Sequence, residues 1–268
     1  MAASLMTKLS FDSGASAWDR FSVRGSALYV PALLAAAEIT AGQRVLDVAT
    51  GAGPAALEAA ALIGPSGLVL GTDLSLPMLE RAKRHAERLP VRLVAMDGQA
   101  LACRDASFDA VICLLGLMFF ADAARGLAEF RRVLRPSGRV AVCVTTTPDR
   151  TVYGRVFERA RRYLPPGRAG LAWNFALSDP HRLEALLLDA TFRDVCVTRE
   201  LRTLSFDSLE EYWAAMEAGG GLSGATYLAL SPDDRRAVRD EVRRGLLPSE
   251  SDGPFAVEME MLLGSGRR

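Results

Sequence analysis

Three aspartates, Asp47, Asp73 and Asp97, each close an apolar run, "RVLDVA", "LVLGTD" and "VRLVAMD". A small-residue turn with Gly51 and Gly53 follows the first run, and an alanine-rich helix is expected from Pro54. A strand–turn–helix join of this kind holds ligands, because the helix N-terminus offers unpaired N–H groups and glycine lets a ligand approach the backbone. Gly51, Gly53 and Ala56 also satisfy the dinucleotide pattern G-x-G-x-x-A, with Asp73 lying 22 residues beyond Gly51. Asp47 argues against that reading. A carboxylate four residues ahead of Gly51 repels a pyrophosphate, since like charges in a partly desolvated crevice cost several kcal/mol.

The same carboxylate suits a ligand that is positively charged beside the turn. In an open α/β sheet, ligands bind at the carboxyl ends of the strands. There Asp73 can accept from two ribose hydroxyls, and Asp97 from an adenine amine, with Gly98 and Gln99 at the ring edge. S-adenosylmethionine combines adenine, ribose, a sulfonium and an ammonium. In this reading Ala49, Gly51 and Gly53 admit its amino-acid tail, and Asp47 acts toward the ammonium through water or nearby N–H groups.

The elements that must position these residues follow from patterning. Between residues 43 and 147 the runs "RVLDVA", "LVLGTD", "VRLVAM", "FDAVICLL" and "RVAVCV" are near-continuous in Val, Leu and Ile, as in parallel strands covered on both faces. Besides the helix expected from Pro54, two of the segments between them read as helices. Ser75 can cap the first, with Pro77 in its first turn; the second sets Leu127, Phe130 and Leu134 on one face and stops at Pro136. The crossover "GQALACRDAS" is too short for a good helix.

A further run "DVCVTREL" and the alternating "PFAVEMEMLLG" bring the count of strands to seven, the last expected as a partly exposed edge or antiparallel strand over 254–264. The fold class is therefore α/β: a doubly wound, mostly parallel seven-stranded sheet with helical lid additions. One domain is expected. Residues 1–42 carry two N-terminal helices separated by Gly25, 43–147 form the cofactor-binding core, and 148–179 and 208–247 are cap insertions.

Composition narrows the function classes. Lys plus Arg and Asp plus Glu number 32 each; the absence of a basic excess argues against nucleic acid as a partner. Cys103, Cys113, Cys143 and Cys196 include no C-x-x-C pair and fit reduced, mostly core cysteines; no metal site is expected. The N-terminal stretch lacks the apolar core of a signal peptide, and "AVICLLGLMFFA" is too short to span a bilayer. The expectation is a cytoplasmic protein without a membrane span.

Residues 43–147 resemble a class I S-adenosylmethionine-dependent methyltransferase of the ubiquinone/menaquinone-biosynthesis group. "VLDVATGAG" is similar to the family's first motif, "VLGTDLSLPMLERAK" to its ribose-binding motif, "MDGQAL" to its adenine-binding segment, and "FDAVICLLGLMFFADAARGLAEFRRVLRPSGRVAV" to the block from fourth to fifth strand. The resemblance implies a Rossmann-like methyltransferase fold and transfer of a methyl group to an O, N or C nucleophile of a small molecule, catalysed mainly by positioning. It implies Asp47, Ala49, Thr50 and Gly51 near the methionine tail, Asp73 on the ribose, and Leu74 and Met78 on the adenine face. Asp97, Gly98 and Gln99 would hold the adenine edge, and the Leu114 backbone would approach the amino group. Ala49 stands where many members have glycine, and Met118 where relatives often have Gln or His.

Other readings weigh against these. Met78 fits the core of its helix as well as an adenine, and Asp109, at the start of a strand, fits a turn or capping acid. No strong general base stands out: His85 reads as solvated, and His181, in the first turn of a helix, is a weak catalytic candidate beside a structural reading. Trp18, Tyr29, Phe119, Phe120, Trp173 and Phe175 could line an apolar substrate pocket, Trp173 in the insertion over the ligand edge. Two alternatives remain: a protein that binds S-adenosylmethionine without methyl transfer, and, more weakly, an NAD-dependent oxidoreductase.

Overall fold

A computed structural model describes residues 12, 23–87, 89–164, 175–218, 221–247 and 253–268. Its centre is a seven-stranded sheet in the order β3-β2-β1-β4-β5-β7-β6. The strands are β1 (Arg44–Val48), β2 (Leu68–Asp73), β3 (Val91–Ala95), β4 (Phe108–Leu114), β5 (Leu134–Thr145), β6 (Arg193–Phe206) and β7 (Phe255–Arg267). The first five run parallel, and β7 is antiparallel to both β5 and β6. The order reverses between β1 and β4, which opens a crevice at their carboxyl ends.

The alternation predicts a partly exposed edge or an antiparallel last strand; β7 is antiparallel, but it lies inside the sheet and β6 takes the edge. Val257, Met259 and Met261 are buried as the alternation requires. Glu260 is buried as well, because Arg150 and Arg199 hold its carboxylate at 3.1 and 2.7 Å. The strand also runs three residues past the expected end at 264, to Arg267.

Helices cover both faces. Those preceding and flanking the crevice are α1 (Val23–Ala27), α2 (Val30–Ala36), α3 (Pro54–Ile63), α4 (Leu76–His85) and α5 (Ala123–Val133). Gly25 falls inside α1 rather than between helices; the break comes at Leu28 and Tyr29. The Ser75 hydroxyl accepts from the Met78 N–H at 3.4 Å and starts α4. Helix α5 ends at Val133, one residue before Leu134 enters β5 opposite Phe108. Leu127, Phe130 and Leu134 are nonetheless all buried.

The later helices are α6 (Gly154–Ala160), α7 (Pro180–Asp189), α8 (Leu209–Glu217), α9 (Gly221–Leu228) and α10 (Pro232–Leu246). The stretch 208–247 is thus three helices, inserted between β6 and β7. Its core holds Tyr212 and Trp213, both wholly buried, with Phe206 and Phe255 stacked beneath at 5.4 Å. Among the described residues no helix is long and apolar enough to cross a membrane.

Candidate functional site

A cavity opens at the carboxyl ends of β1 to β4. Ala49, Thr50, Gly51, Asp73, Leu74, Met78, Asp97, Gly98, Gln99, Leu114, Phe119 and Phe120 line it, so twelve of the ligand and pocket candidates named from sequence meet at one cavity. Sequence reasoning did not single out Ser26, Met96, Leu115 and Gly116, which line it too. Ser26 comes from α1, which no local motif connects to the strand ends.

The floor is the turn after β1. Thr50 N–H donates to the Thr72 carbonyl at 2.9 Å and Gly53 N–H to the Thr50 carbonyl at 2.9 Å. Gly51 has φ +57, and a Cβ there would meet nothing within 4 Å. Its left-handed backbone and open surroundings leave a ligand free to lie on the main chain. Gly53, the residue before α3, caps no N–H with a side chain, and Pro54, the first residue of that helix, has no N–H to satisfy.

Asp73 is fastened from both sides. Its Oδ2 accepts from the Gly51 N–H and its Oδ1 from the Ser75 N–H, each at 2.9 Å. Burial pushes its carboxyl above the usual range, against the pull of those N–H groups. Asp97 is held through its neighbour: Oδ1 accepts from the Gln99 N–H at 2.9 Å and from Gln99 Nε2 at 3.2 Å. Gln99 Oε1 in turn accepts from the Asp122 N–H at 2.8 Å.

Asp47 does not reach the cavity. It is wholly buried, its Oδ2 accepting from the Thr50 hydroxyl at 2.6 Å, while Oδ1 has no hydrogen-bond partner among the described residues. Burial pushes its carboxyl up to about 7; the Thr50 hydroxyl opposes this, the Asp73 charge adds to it, and the Ala56 N–H offsets a little from outside standard hydrogen-bond geometry. The cause is register. Asp47 precedes the last residue of a strand paired on both sides, so its side chain enters the packed layer instead of leaving the strand end.

Two residues with side chains hold left-handed backbone at the rim, Ala49 at φ 58 and Leu115 at φ 53. Such geometry costs of order 1–2 kcal/mol per residue. Gly116 sits against Ala49: a Cβ there would overlap the Ala49 Cβ, and the Cys113 Sγ at 2.8 Å. Glycine is needed at 116 for this approach.

Several other sequence candidates leave the site. Tyr29 is buried, its hydroxyl donating to the Met259 carbonyl at 2.8 Å and Arg202 lying 5.6 Å over its ring; it belongs to the core under β7. The His181 side chain is 90% exposed, with Nδ1 3.9 Å from Glu184, and it does not line the cavity. Met118 faces β5, its Sδ 3.8 Å from the Thr145 hydroxyl. Phe175 packs on Phe157, whereas Phe120 does line the cavity. Asp109 accepts from the Arg44 N–H at 2.8 Å, at the opposite end of the sheet. Trp18 and Trp173 lie outside the described residues. All four cysteines are free, Cys196 exposed and Cys113 and Cys143 buried, and no cluster of metal-ligating side chains occurs among the described residues.

The donor set fits a cationic adenosine ligand. Asp73 and Asp97 are the charged side chains that line the cavity among the described residues, with no Lys or Arg beside them. The fold and this site define the class of S-adenosylmethionine-dependent methyltransferases, and comparison with known proteins narrows it. Residues 45–138 match the family model described as a methyltransferase domain. The chain is 37% identical over 166 residues to the demethylmenaquinone methyltransferase of Deinococcus radiodurans, covering 56% of this chain and 68% of that protein. It is 36% identical over 166 residues to that of Thermus thermophilus, covering 57% and 75%. Its fold is similar to Haemonchus contortus phosphoethanolamine N-methyltransferase 2 solved in complex with S-adenosyl-L-methionine, with a TM-score of 0.56 at 18% identity over 89% of this chain and 52% of that one. The chain belongs to the class I methyltransferases of the ubiquinone/menaquinone-biosynthesis group. It is an enzyme, and its cofactor is S-adenosylmethionine.

Proposed function

We propose that this enzyme methylates an apolar, aromatic small molecule with an acidic nucleophile, a quinol obtained by reducing a quinone of the kind in its relatives' name, demethylmenaquinone. One observation carries the reading. The rim of the cavity near the β4 end is formed by Leu115, Gly116, Phe119 and Phe120, and no lining residue among those described is a His, Lys, Tyr or Cys able to act as a strong base. An acceptor that ionises readily needs no such base, whereas an aliphatic alcohol does.

In this reading Asp73 accepts from the ribose hydroxyls while its straps to Gly51 and Ser75 hold it in place. Leu74 and Met78 pack on the adenine, Asp97 and the backbone at Gly98 and Gln99 meet its edge, and Ala49, Thr50, Gly51 and the Leu114 backbone surround the tail. Asp47 acts indirectly, by fixing the Thr50 hydroxyl and adding negative potential beneath the cationic end. The bound cofactor supplies the methyl group and the leaving group, so the protein's task is alignment and exclusion of water. Residues 43–147 serve as the cofactor core and 1–42, 148–179 and 208–247 as lid and cap of one domain, working in the cytoplasm without nucleic acid.

The test is incubation of the purified enzyme with S-adenosylmethionine and demethylmenaquinol, made by chemical two-electron reduction of demethylmenaquinone and kept anaerobic, alongside aliphatic alcohol and amine acceptors, with S-adenosylhomocysteine and methylated product quantified by mass spectrometry. Turnover of the quinol with none of the aliphatic compounds is the expected result. Preference for an amine or alcohol would refute the acceptor class while leaving the cofactor site standing.

A further inference from the structure

The adenine-edge segment and the acceptor rim are one mechanical unit, and a single side chain joins them. Gln99 lines the cavity but spends both ends of its amide inside the protein. Nε2 donates to Asp97 Oδ1 at 3.2 Å, and Oε1 accepts from the Asp122 N–H at 2.8 Å. Asp122 is the residue before α5 and caps it, its Oδ1 accepting from the Arg125 N–H at 2.9 Å. The stretch from Leu115 to Asp122 is therefore pinned at its far end by Gln99. At its near end the Leu115 N–H donates to the Cys143 carbonyl at 2.8 Å.

Phe120 makes the second joint. Its ring lies edge-on to Phe130, centroids 6.0 Å apart at 81°. The same ring fills the space where a Cβ would stand on Gly98 and on Gly126. The adenine-edge residue Gly98 and the rim residue Phe120 are in direct contact, so one cannot shift without the other.

We propose that Gln99 is a positioning residue that couples cofactor occupancy to the acceptor wall, a role that rests on the reading above. A ligand whose amine donates to Asp97 fixes that carboxyl, hence the Gln99 amide, hence the Asp122 N–H and the Phe120 ring. The rim that receives the acceptor is tightened by the adenine, and the enzyme takes cofactor first and acceptor second. By reciprocity an acceptor seated on Phe119 and Phe120 raises cofactor affinity.

The experiment measures amide hydrogen exchange at 119–122, with and without adenosine, which lacks the amino-acid tail, and with and without S-adenosylhomocysteine. It uses the wild type, Gln99→Leu and Gln99→Glu. In the wild type either ligand slows exchange at 119–122 by about fivefold or more, the scale of one intramolecular hydrogen bond. Gln99→Leu still binds S-adenosylhomocysteine within about tenfold of wild type but shows no ligand-dependent slowing there. Gln99→Glu keeps the acceptor for the Asp122 N–H and so recovers the ligand-free protection; lacking the donor to Asp97, it does not recover the response. A purely structural role predicts that this variant restores both.

Ligand-dependent protection in Gln99→Leu equal to wild type overturns the coupling. Loss of S-adenosylhomocysteine binding by more than about a hundredfold in both variants, each melting cooperatively, overturns it too, and makes the Gln99 side chain a direct ligand contact. Failure of the wild type to bind either ligand overturns the coupling together with the assignment of the cavity.

Discussion

The cofactor edge at the ends of β1 to β3 and the helical cap over β6 and β7 use polar groups in opposite ways. At the cofactor edge, Asp73 and Asp97 are held by backbone N–H groups from the adjoining turns and still face a cavity. Under the cap, the Tyr212 hydroxyl donates to the Val152 carbonyl at 2.7 Å and is wholly buried; the Tyr29 hydroxyl is consumed the same way by Met259. One region fastens its acids and leaves their faces for a ligand. The other turns polar atoms inward to complete an aromatic core. Substitutions in the first region should register in ligand affinity, and in the second in stability alone.

The sharpest way to break that contrast is Asp73→Ala. It removes the acceptor for Gly51 and Ser75 and the expected ribose contact; charge-assisted hydrogen bonds of about 1.5–3 kcal/mol each lead us to expect a hundredfold or greater loss of S-adenosylmethionine affinity by calorimetry. If affinity holds and only the melting temperature falls, the two regions do not differ in kind.

Asp47→Asn sharpens the contrast through pH. With its carboxyl pushed up to about 7 in the folded protein, Asp47 gives stability that is present below its ordinary value and lost as pH rises through 7. The wild type should therefore lose thermal stability between pH 5 and 8 relative to Asp47→Asn. A cationic ligand favours the carboxylate, so binding to the wild type near pH 7 should release a proton and strengthen by about tenfold from pH 6 to 8. The variant should show neither effect when titrated in buffers of different ionisation enthalpy.

Tyr212→Phe, under the cap, leaves the Val152 carbonyl unpaired. It should cost about 1–2 kcal/mol in denaturant unfolding with cofactor affinity unchanged; a parallel loss of affinity would join the cap to the cofactor site. The smallest effect belongs to His181→Ala. At a side chain 90% exposed, stability should stay within about 0.5 kcal/mol and turnover should match the wild type at every pH. A lost limb in the pH profile would restore His181 as a base.

The same contrast explains what could be read from the chain alone. Asp73 and Asp97 were legible because each ends an apolar run and is positioned by residues two places away, Ser75 and Gln99. Ser26 was not, because its approach depends on α1 folding over a distant turn. Asp47 was legible in type but not in direction; one position of strand register decides between cavity and packed layer. The mostly parallel seven-stranded sheet was implied by the succession of runs, yet the place of β7 inside the sheet depends on pairing across more than a hundred residues with β5. Alternation cannot report that, and it misjudged Glu260, which two distant arginines allow inside.

The contact between Ala49 and Gly116 has a consequence for how this sequence can change. Relaxing the left-handed residue with Ala49→Gly removes the methyl group that Gly116 must avoid, but a Cβ at 116 still meets the Cys113 Sγ at 2.8 Å. The reverse order is closed, since Gly116→Ala meets that methyl before anything has made way. Successive substitutions at this rim thus have a required order: position 49 must lose its methyl and position 113 its sulfur before 116 can gain a side chain.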